Sequence, residues 1–186
     1  MSRRTTITDA AIATLASDGM RGLTHRAVDH AAGLPEGSTS YYFRSRLALL
    51  EATVQRLVEL DETEVPILPT PDLDSFAAAI AQLLHTWVTR DRQRQLARYE
   101  LTLEATRRPE LRQVLVRSGE KVRAALASLL AAVGVPSPDA KAHHLAALLD
   151  GLVFDQVAGA GDRTLSLPQL TMVIRAVTAA MVEVPA

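Results

Sequence analysis

The sequence predicts an all-α protein of about nine helices: a small N-terminal three-helix head carrying a helix-turn-helix, then a larger helical body. Apolar residues recur at three- and four-residue spacing through most of the 186-residue chain, and no segment shows the strict alternation of a half-buried strand. Alanine and leucine dominate the apolar set while aromatics make up only 4 %, a balance that favours helix over sheet. Glycine and proline clusters cut the pattern into pieces of helical length.

The first predicted helix runs from Thr6 to Asp18, with Ile7, Ala11 and Leu15 on one face and Gly19 as a left-handed cap. Thr24 offers its hydroxyl as the N-cap of a second helix, which carries Ala27, Val28 and Ala31 inward and Arg26, Asp29 and His30 outward. Gly33 supplies the left-handed backbone of a tight turn, Leu34 buries beside it, and Pro35 stops the second helix. A third, short helix is expected from about Glu36 to Phe43. Ser45 caps a fourth, reaching about Glu64, with Leu47, Leu50, Val54, Leu57 and Val58 as its apolar stripe. Pro66, Pro69 and Pro71 form an extended break.

The fifth helix starts at Asp72 or Asp74 and runs through Phe76 to Thr89, and a polar turn over residues 90–94 follows. The sixth spans about Gln95 to Arg107. Pro109 starts a seventh that continues to Val133, ended by Gly134 and Pro136. Ser137 and Pro138 are a cap and first-turn pair for an eighth helix, to about Ala158. Gly159 and Gly161 break it, and Pro168 lies near the start of a ninth ending at about Val182. Residues 1–46 form the head and 47–186 the body, a boundary inside the fourth helix, which leaves one and enters the other.

Composition bounds the function. There is no cysteine, hence no disulfide framework, thiol nucleophile or cysteine-based zinc site. Arg3 and Arg4 are not followed by an apolar run, so the start does not read as a signal peptide. The longest apolar run, Ala124 to Val133, is interrupted by Ser128 and is too short to span a bilayer. A cytoplasmic protein with no membrane partner is expected. The net charge of −1 argues against a general nucleic-acid coat. Residues 1–50 nevertheless hold six arginines against four acids, a balance of +2 that suits a few phosphate contacts. Residues 90–123 hold ten basic residues against five acids, but the interspersed Glu100, Glu104, Glu110 and Glu120 make solvated helix faces the simpler reading.

The chemistry concentrates between Thr24 and Arg46. Two short helices joined at Gly33 have the layout of a helix-turn-helix, whose second helix enters the major groove. Arg26 and the exposed face Glu36, Gly37, Ser38, Ser40 and Tyr41 form the candidate reading surface. Arginine can pair bidentately with guanine, serine hydroxyls can serve bases or phosphates, and a tyrosine ring can meet a thymine methyl. Thr24, Tyr42, Arg44 and Arg46 suit phosphates, which set register without reading sequence. The plain alternative is solvated arginines and packed tyrosines. Glu36 has two readings: a charge favoured at a helix start, or an acceptor for a cytosine amino group.

The same residues carry a resemblance. Gly19 with Gly22, Leu23 and Thr24, then Ala32-Gly33-Leu34, Gly37-Ser38, Tyr41 and Phe43-Arg44-Ser45-Arg46 resemble the N-terminal signature of TetR-family repressors over roughly the first fifty residues. The chain departs from the family pattern at Thr39 and Ser40, where leucine and tyrosine are usual, at Tyr42 in place of histidine, and at Arg46 in place of lysine. The resemblance implies a double-stranded DNA operator, a pocket for an unidentified small molecule between the fourth and eighth helices, and a homodimer built from the last two helices of each subunit.

In the body, polar and aromatic groups set among apolar helices are candidates to line a ligand pocket: His85, Trp87, Tyr99, Glu100, Thr102, Glu104, Asp150 and Phe154. Leu145, Leu148, Leu149 and Leu152 line one terminal helix, and Leu170, Val173, Ile174, Val177 and Met181 the other, as the candidate dimer surface. An enzyme is not expected. No glutamate is followed three residues later by a histidine, adjacent His143 and His144 diverge around their helix, and no phosphate loop or nucleophile elbow is present. No metal or cofactor is called for. The expected function is a ligand-released repressor on a pseudo-palindromic operator. The alternative is a helical small-molecule or partner-binding protein that keeps the head without specific operator binding.

Overall fold

Short polar residues outside the apolar stripe start four of the helices. Ser2, Thr24, Ser45 and Asp72 each accept from the backbone N–H three residues on, at 3.1, 3.1, 3.1 and 2.7 Å. Each satisfies one of the donors that a first turn leaves without a partner. The computed structural model describes residues 2–66, 72–160 and 164–183, and among them it is all-α. The helices are α1 (Arg3–Gly22), α2 (His25–Ala31), α3 (Ser38–Tyr42), α4 (Arg46–Glu62), α5 (Leu73–Val88), α6 (Arg92–Ala105), α7 (Pro109–Ala132), α8 (Pro138–Ala158) and α9 (Leu167–Glu183). Pro69, Pro71 and Gly161, read above as breaks, lie outside the described residues.

The element order agrees with the sequence pattern, and the ends shift for local reasons. The first helix starts three residues earlier than its apolar face suggests, because Ser2 caps it. Gly19 has φ 65° and a non-helical backbone, so two helical pieces meet there at a kink within α1. The third helix is five residues long. Gly37 precedes it at φ 92° and has no side chain to cap it. Ser137 likewise makes no side-chain cap; it sits at φ 51°, and Pro138 opens α8 without it.

Two compact units result. The first comprises residues 1–63 and 92–119. There α1 packs on α2, α4 and α6, and α4 on α6. Ile7, Leu15, Leu23, Val28, Phe43, Leu50, Leu101 and Leu111 are buried in its core. Arg56 of α4 is paired with Asp9 of α1 at 2.7 Å, and Arg98 of α6 with Asp61 of α4 at 2.7 Å. The second unit comprises residues 64–91 and 120–186. Here α5 packs on α8 and α9, around Phe76, Ile80, Leu84, Leu145, Val153, Leu170 and Ile174. No helix among the described residues is long and apolar enough to cross a membrane.

Candidate nucleic-acid interface

Gly33 makes the turn between α2 and α3 at φ 64°, and a Cβ there would meet nothing within 4 Å. The left-handed backbone, not space, is what requires glycine. The N–H of Gly33 donates to His30 O at 3.1 Å and that of Leu34 to Asp29 O at 2.9 Å, closing the end of α2.

A buried carboxylate positions the short α3. Asp29, only 2 % exposed, accepts from the Gly37 N–H at 2.8 Å, the Thr39 N–H at 2.6 Å and the Thr39 hydroxyl at 2.6 Å. Gly37 cannot cap α3, so Asp29 does so from the neighbouring helix. Burial pushes its carboxyl pKa up. The hydrogen bonds from Thr39 and Gly37, with the charge of His25, outweigh that and hold it below its ordinary value. The far end of α3 is fixed by Phe43, buried at 2 % exposure. His25 Nε2 bonds to Phe43 O at 2.8 Å, and the Arg4 guanidinium lies 4.6 Å over the Phe43 ring.

This framework fixes what remains exposed. Ser40 and Gly37 face solvent, and Tyr41 is 79 % exposed, set edge-on against Tyr42 at 5.1 Å. Arg26 on α2 and Glu36 before α3 are both exposed and form an ion pair at 2.9 Å. Ser38 is half-buried, its hydroxyl donating to Pro35 O at 2.6 Å. Thr24 is exposed with its hydroxyl engaged as the α2 cap, Arg44 is exposed, and Tyr42 is half-buried. Arg46 turns inward: its guanidinium donates to the carbonyls of Met20 and Leu23.

The body candidates are divided between the two units. Tyr99, Glu100, Thr102 and Glu104 belong to the first unit, and His85, Trp87, Asp150 and Phe154 to the second. Glu100 accepts from the Met20 N–H at 2.8 Å, and Glu104 pairs with Arg108. The Thr102 hydroxyl donates back to Arg98 O at 2.9 Å. Trp87 Nε1 donates to Glu64 at 2.8 Å, His85 is half-buried, and Asp150 and Phe154 are exposed. An open groove of about 590 Å³ lies in the first unit, lined by α1, α2 and Gln93; Thr24 and Arg26 reach it, and none of the eight does. Of the candidate dimer residues, Leu145, Leu170 and Ile174 are buried inside their own unit. Leu149, Leu152, Val173, Val177 and Met181 are half-buried, and Leu148 is exposed. Phe154 (44 %) and Met172 (63 %) are the larger outward apolar groups, beside Ala147, Gly151 and Ala176.

Comparison with known proteins places the whole chain. Residues 7–53 match the family described as bacterial regulatory proteins, tetR family, and residues 71–184 the tetracyclin repressor-like C-terminal domain. The chain belongs to the TetR family. Among solved structures, the multidrug binding protein EbrR complexed with ethidium is 32 % identical, with a TM-score of 0.75 over 100 % of both chains. A TetR-family member from Streptomyces coelicolor A3, SCO1917, is 31 % identical, with a TM-score of 0.75 over 100 % of both chains. A transcriptional regulator from Rhodococcus sp. Rha1 shares the fold at a TM-score of 0.82 and 19 % identity, over 99 % of this chain and 100 % of that one. No curated protein matches.

As a TetR-family transcription regulator, the chain carries its DNA-binding element in α2 and α3. The geometry explains one departure from the family pattern: Thr39 is fully buried and bonds to Asp29, so its hydroxyl satisfies a carboxylate inside the head. Sequence reading had turned Asp29 outward and had given no role to His25 or Arg4. One signal was available for Asp29. A helix opened by glycine has no cap of its own, and a carboxylate on the neighbouring helix can supply the acceptor.

Proposed function

We propose that this TetR-family regulator is a repressor that binds a pseudo-palindromic operator as a homodimer and leaves it when a small molecule binds the body. The observation that carries the reading is the locked α3, pinned by Asp29 at one end and Phe43 at the other, with Ser40 and Tyr41 turned outward. A helix held at both ends can present side chains to base edges without losing much order on docking. Arg26, Glu36, Gly37, Ser40 and Tyr41 are the proposed reading face. Thr24, Tyr42 and Arg44 hold phosphates, and Arg46 supports the head from inside. Residues 1–46 carry DNA contact, and 47–186 ligand binding and dimerisation.

The test is binding to the DNA upstream of the chain's own gene, followed by fluorescence anisotropy across salt concentrations. The expected result is sequence-selective binding that weakens steeply with salt, as phosphate neutralisation requires. Absent binding, or equal binding to all duplexes, would favour the alternative of a partner- or ligand-binding protein that keeps only the head.

Dimerisation is proposed through the outward face of α8 and α9, where Phe154 and Met172 flank the small residues Ala147, Gly151 and Ala176. A dimer places two α3 helices about one DNA turn apart, roughly 34–36 Å, matching two half-sites. A Phe154→Asp/Met172→Asp variant is expected to elute as a monomer by light scattering and to lose about tenfold or more in operator affinity, because only one half-site is then held. A variant that stays dimeric would move the interface elsewhere.

EbrR is a multidrug binding protein and one of its structures holds ethidium. We place an aromatic, cationic ligand of that kind in the body of this chain, near the half-buried His85 and Trp87 of α5. Differential affinity for two tilts of α4 would then release the operator. Trp87 is the chain's one tryptophan, so titrating DNA-free protein with ethidium reads its surroundings directly. Saturable quenching is expected; unchanged Trp87 emission would remove the ligand from this site.

A further inference from the structure

The Arg26–Glu36 pair is hard to explain as a stability device. Its side chains are 85 % and 71 % exposed, and surface pairs of this kind add little to folding. The two residues lie on different elements, Arg26 at the second position of α2 and Glu36 just before Gly37. Glu36 lies at the start of the helix that enters the major groove, and the ion pair holds Arg26 of α2 beside it. A lone carboxylate there is a liability, since it repels phosphate.

The pair becomes intelligible as a pattern of donors and acceptors. Arg26 Nε lies 2.9 Å from Glu36 Oε1 as an ion pair. The guanidinium keeps its Nη1 and Nη2 hydrogens as two adjacent donors, and the Glu36 carboxylate is an acceptor beside it. Read across, the unit presents donor, donor, acceptor. A G·C pair in the major groove presents guanine N7 and O6 as acceptors, then the cytosine N4 amino group as a donor. An A·T pair presents acceptor, donor, acceptor, so two of the three positions conflict.

We infer that Arg26 and Glu36 act as one reading unit for a G·C base pair in each half-site, the carboxylate orienting the guanidinium and rejecting the other pairs. This rests on the operator binding proposed above. It adds that Glu36 gives up affinity for selectivity, so the two quantities move in opposite directions when the charge is removed. Replacing Glu36 with glutamine adds +1 to each subunit and reduces phosphate repulsion. It also supplies an amide that can serve adenine as readily as cytosine.

The experiment selects wild type, Glu36→Gln, Arg26→Ala and the Arg26→Ala/Glu36→Ala double variant against a randomised duplex library. Each is then titrated on the selected duplex and on versions with single base pairs changed. For Glu36→Gln, binding to unrelated DNA is expected to tighten while preference for one G·C pair per half-site falls about tenfold. Arg26→Ala is expected to lose the preference at that same base pair. The double variant should lose no more discrimination than Arg26→Ala alone, since the two act as a unit. Unchanged preference in Glu36→Gln, or losses at different base pairs that add up, would overturn the inference while leaving operator binding intact. Failure of the wild type to select any sequence would overturn operator binding itself. Both side chains are exposed, and matched thermal melts check that the variants fold.

Discussion

An Asp29→Ala variant is expected to keep its helices and lose sequence-specific DNA binding. The substitution removes one carboxylate and strips the acceptor from three donors: the Gly37 N–H, the Thr39 N–H and the Thr39 hydroxyl. Thr39 is fully buried, so water cannot replace the lost partner. Hydrogen bonds to a charged group contribute about 1.5–3 kcal/mol each and share one carboxylate here, so a total of about 3–4 kcal/mol is a reasonable size. The loss falls on a five-residue helix that has no capping side chain of its own. Circular dichroism should therefore change little while operator affinity collapses. Thr39→Val, which removes the hydroxyl alone, should cost about 1 kcal/mol and weaken binding without abolishing it. Wild-type affinity in Asp29→Ala would show that α3 does not depend on the carboxylate.

The same group gives the head an acid limit. The Asp29 pKa is lowered in the folded chain, so the folded state favours the charged form. The stabilisation is present above the unfolded value of about 4 and is lost as pH falls through the lower folded value. Denaturation midpoints should drop over that acid window in the wild type. Part of that drop should be missing in Asp29→Asn, which has no proton to take up at this site. Identical pH profiles for the two proteins would contradict the assignment.

The second large effect is expected where α1 hands over to α2. The kink at Gly19 leaves Met20 with a free N–H and a free carbonyl. Glu100 of α6 takes the first at 2.8 Å, and Arg46 at the start of α4 donates to the second and to Leu23 O. Two charged side chains from two other helices therefore clamp the backbone of one residue on both sides. Glu100→Ala and Arg46→Ala should each destabilise the first unit by about 2–3 kcal/mol, read as a lower urea midpoint. Glu100→Gln keeps an acceptor oxygen and should recover more than half of the loss. If Glu100→Gln and Glu100→Ala were equally damaging, the charge rather than the Met20 contact would be the cause. Arg46→Lys should behave poorly, because one ammonium cannot span two carbonyls as the planar guanidinium does.

These residues show which parts of the molecule the sequence discloses. Ser45 and Thr24 were legible as caps, because capping joins residues two or three apart. Gly33 was legible because a helix-helix turn needs a positive φ. In the sequence Asp29 reads as an outward charge, Arg46 as a phosphate contact and Glu100 as a pocket group, while in the structure each bonds to the backbone of a distant segment. Their partners lie 10, 26 and 80 residues away. Within a helical period a charged side chain counts as outward, and nothing local signals that a distant peptide needs it. The terminal helices show the same limit for apolar groups. Leu145, Leu170 and Ile174 share their stripes with residues that stay half-exposed, yet they fill the core of their own unit while Phe154 and Met172 face out. An apolar period marks a buried face without saying what covers it.

By itself, then, the sequence determined the all-α class, the order of the helices, the helix-turn-helix and its family, since periodicity, caps and turn glycines act over a few residues. Only the tertiary structure decided which polar groups leave solvent. Asp29 was drawn inward to satisfy α3, while Glu36, seven residues later, stayed out against Arg26. Both are carboxylates beside one short helix. Their different fates follow from unpaired backbone donors that exist only once α2 and α3 have packed together.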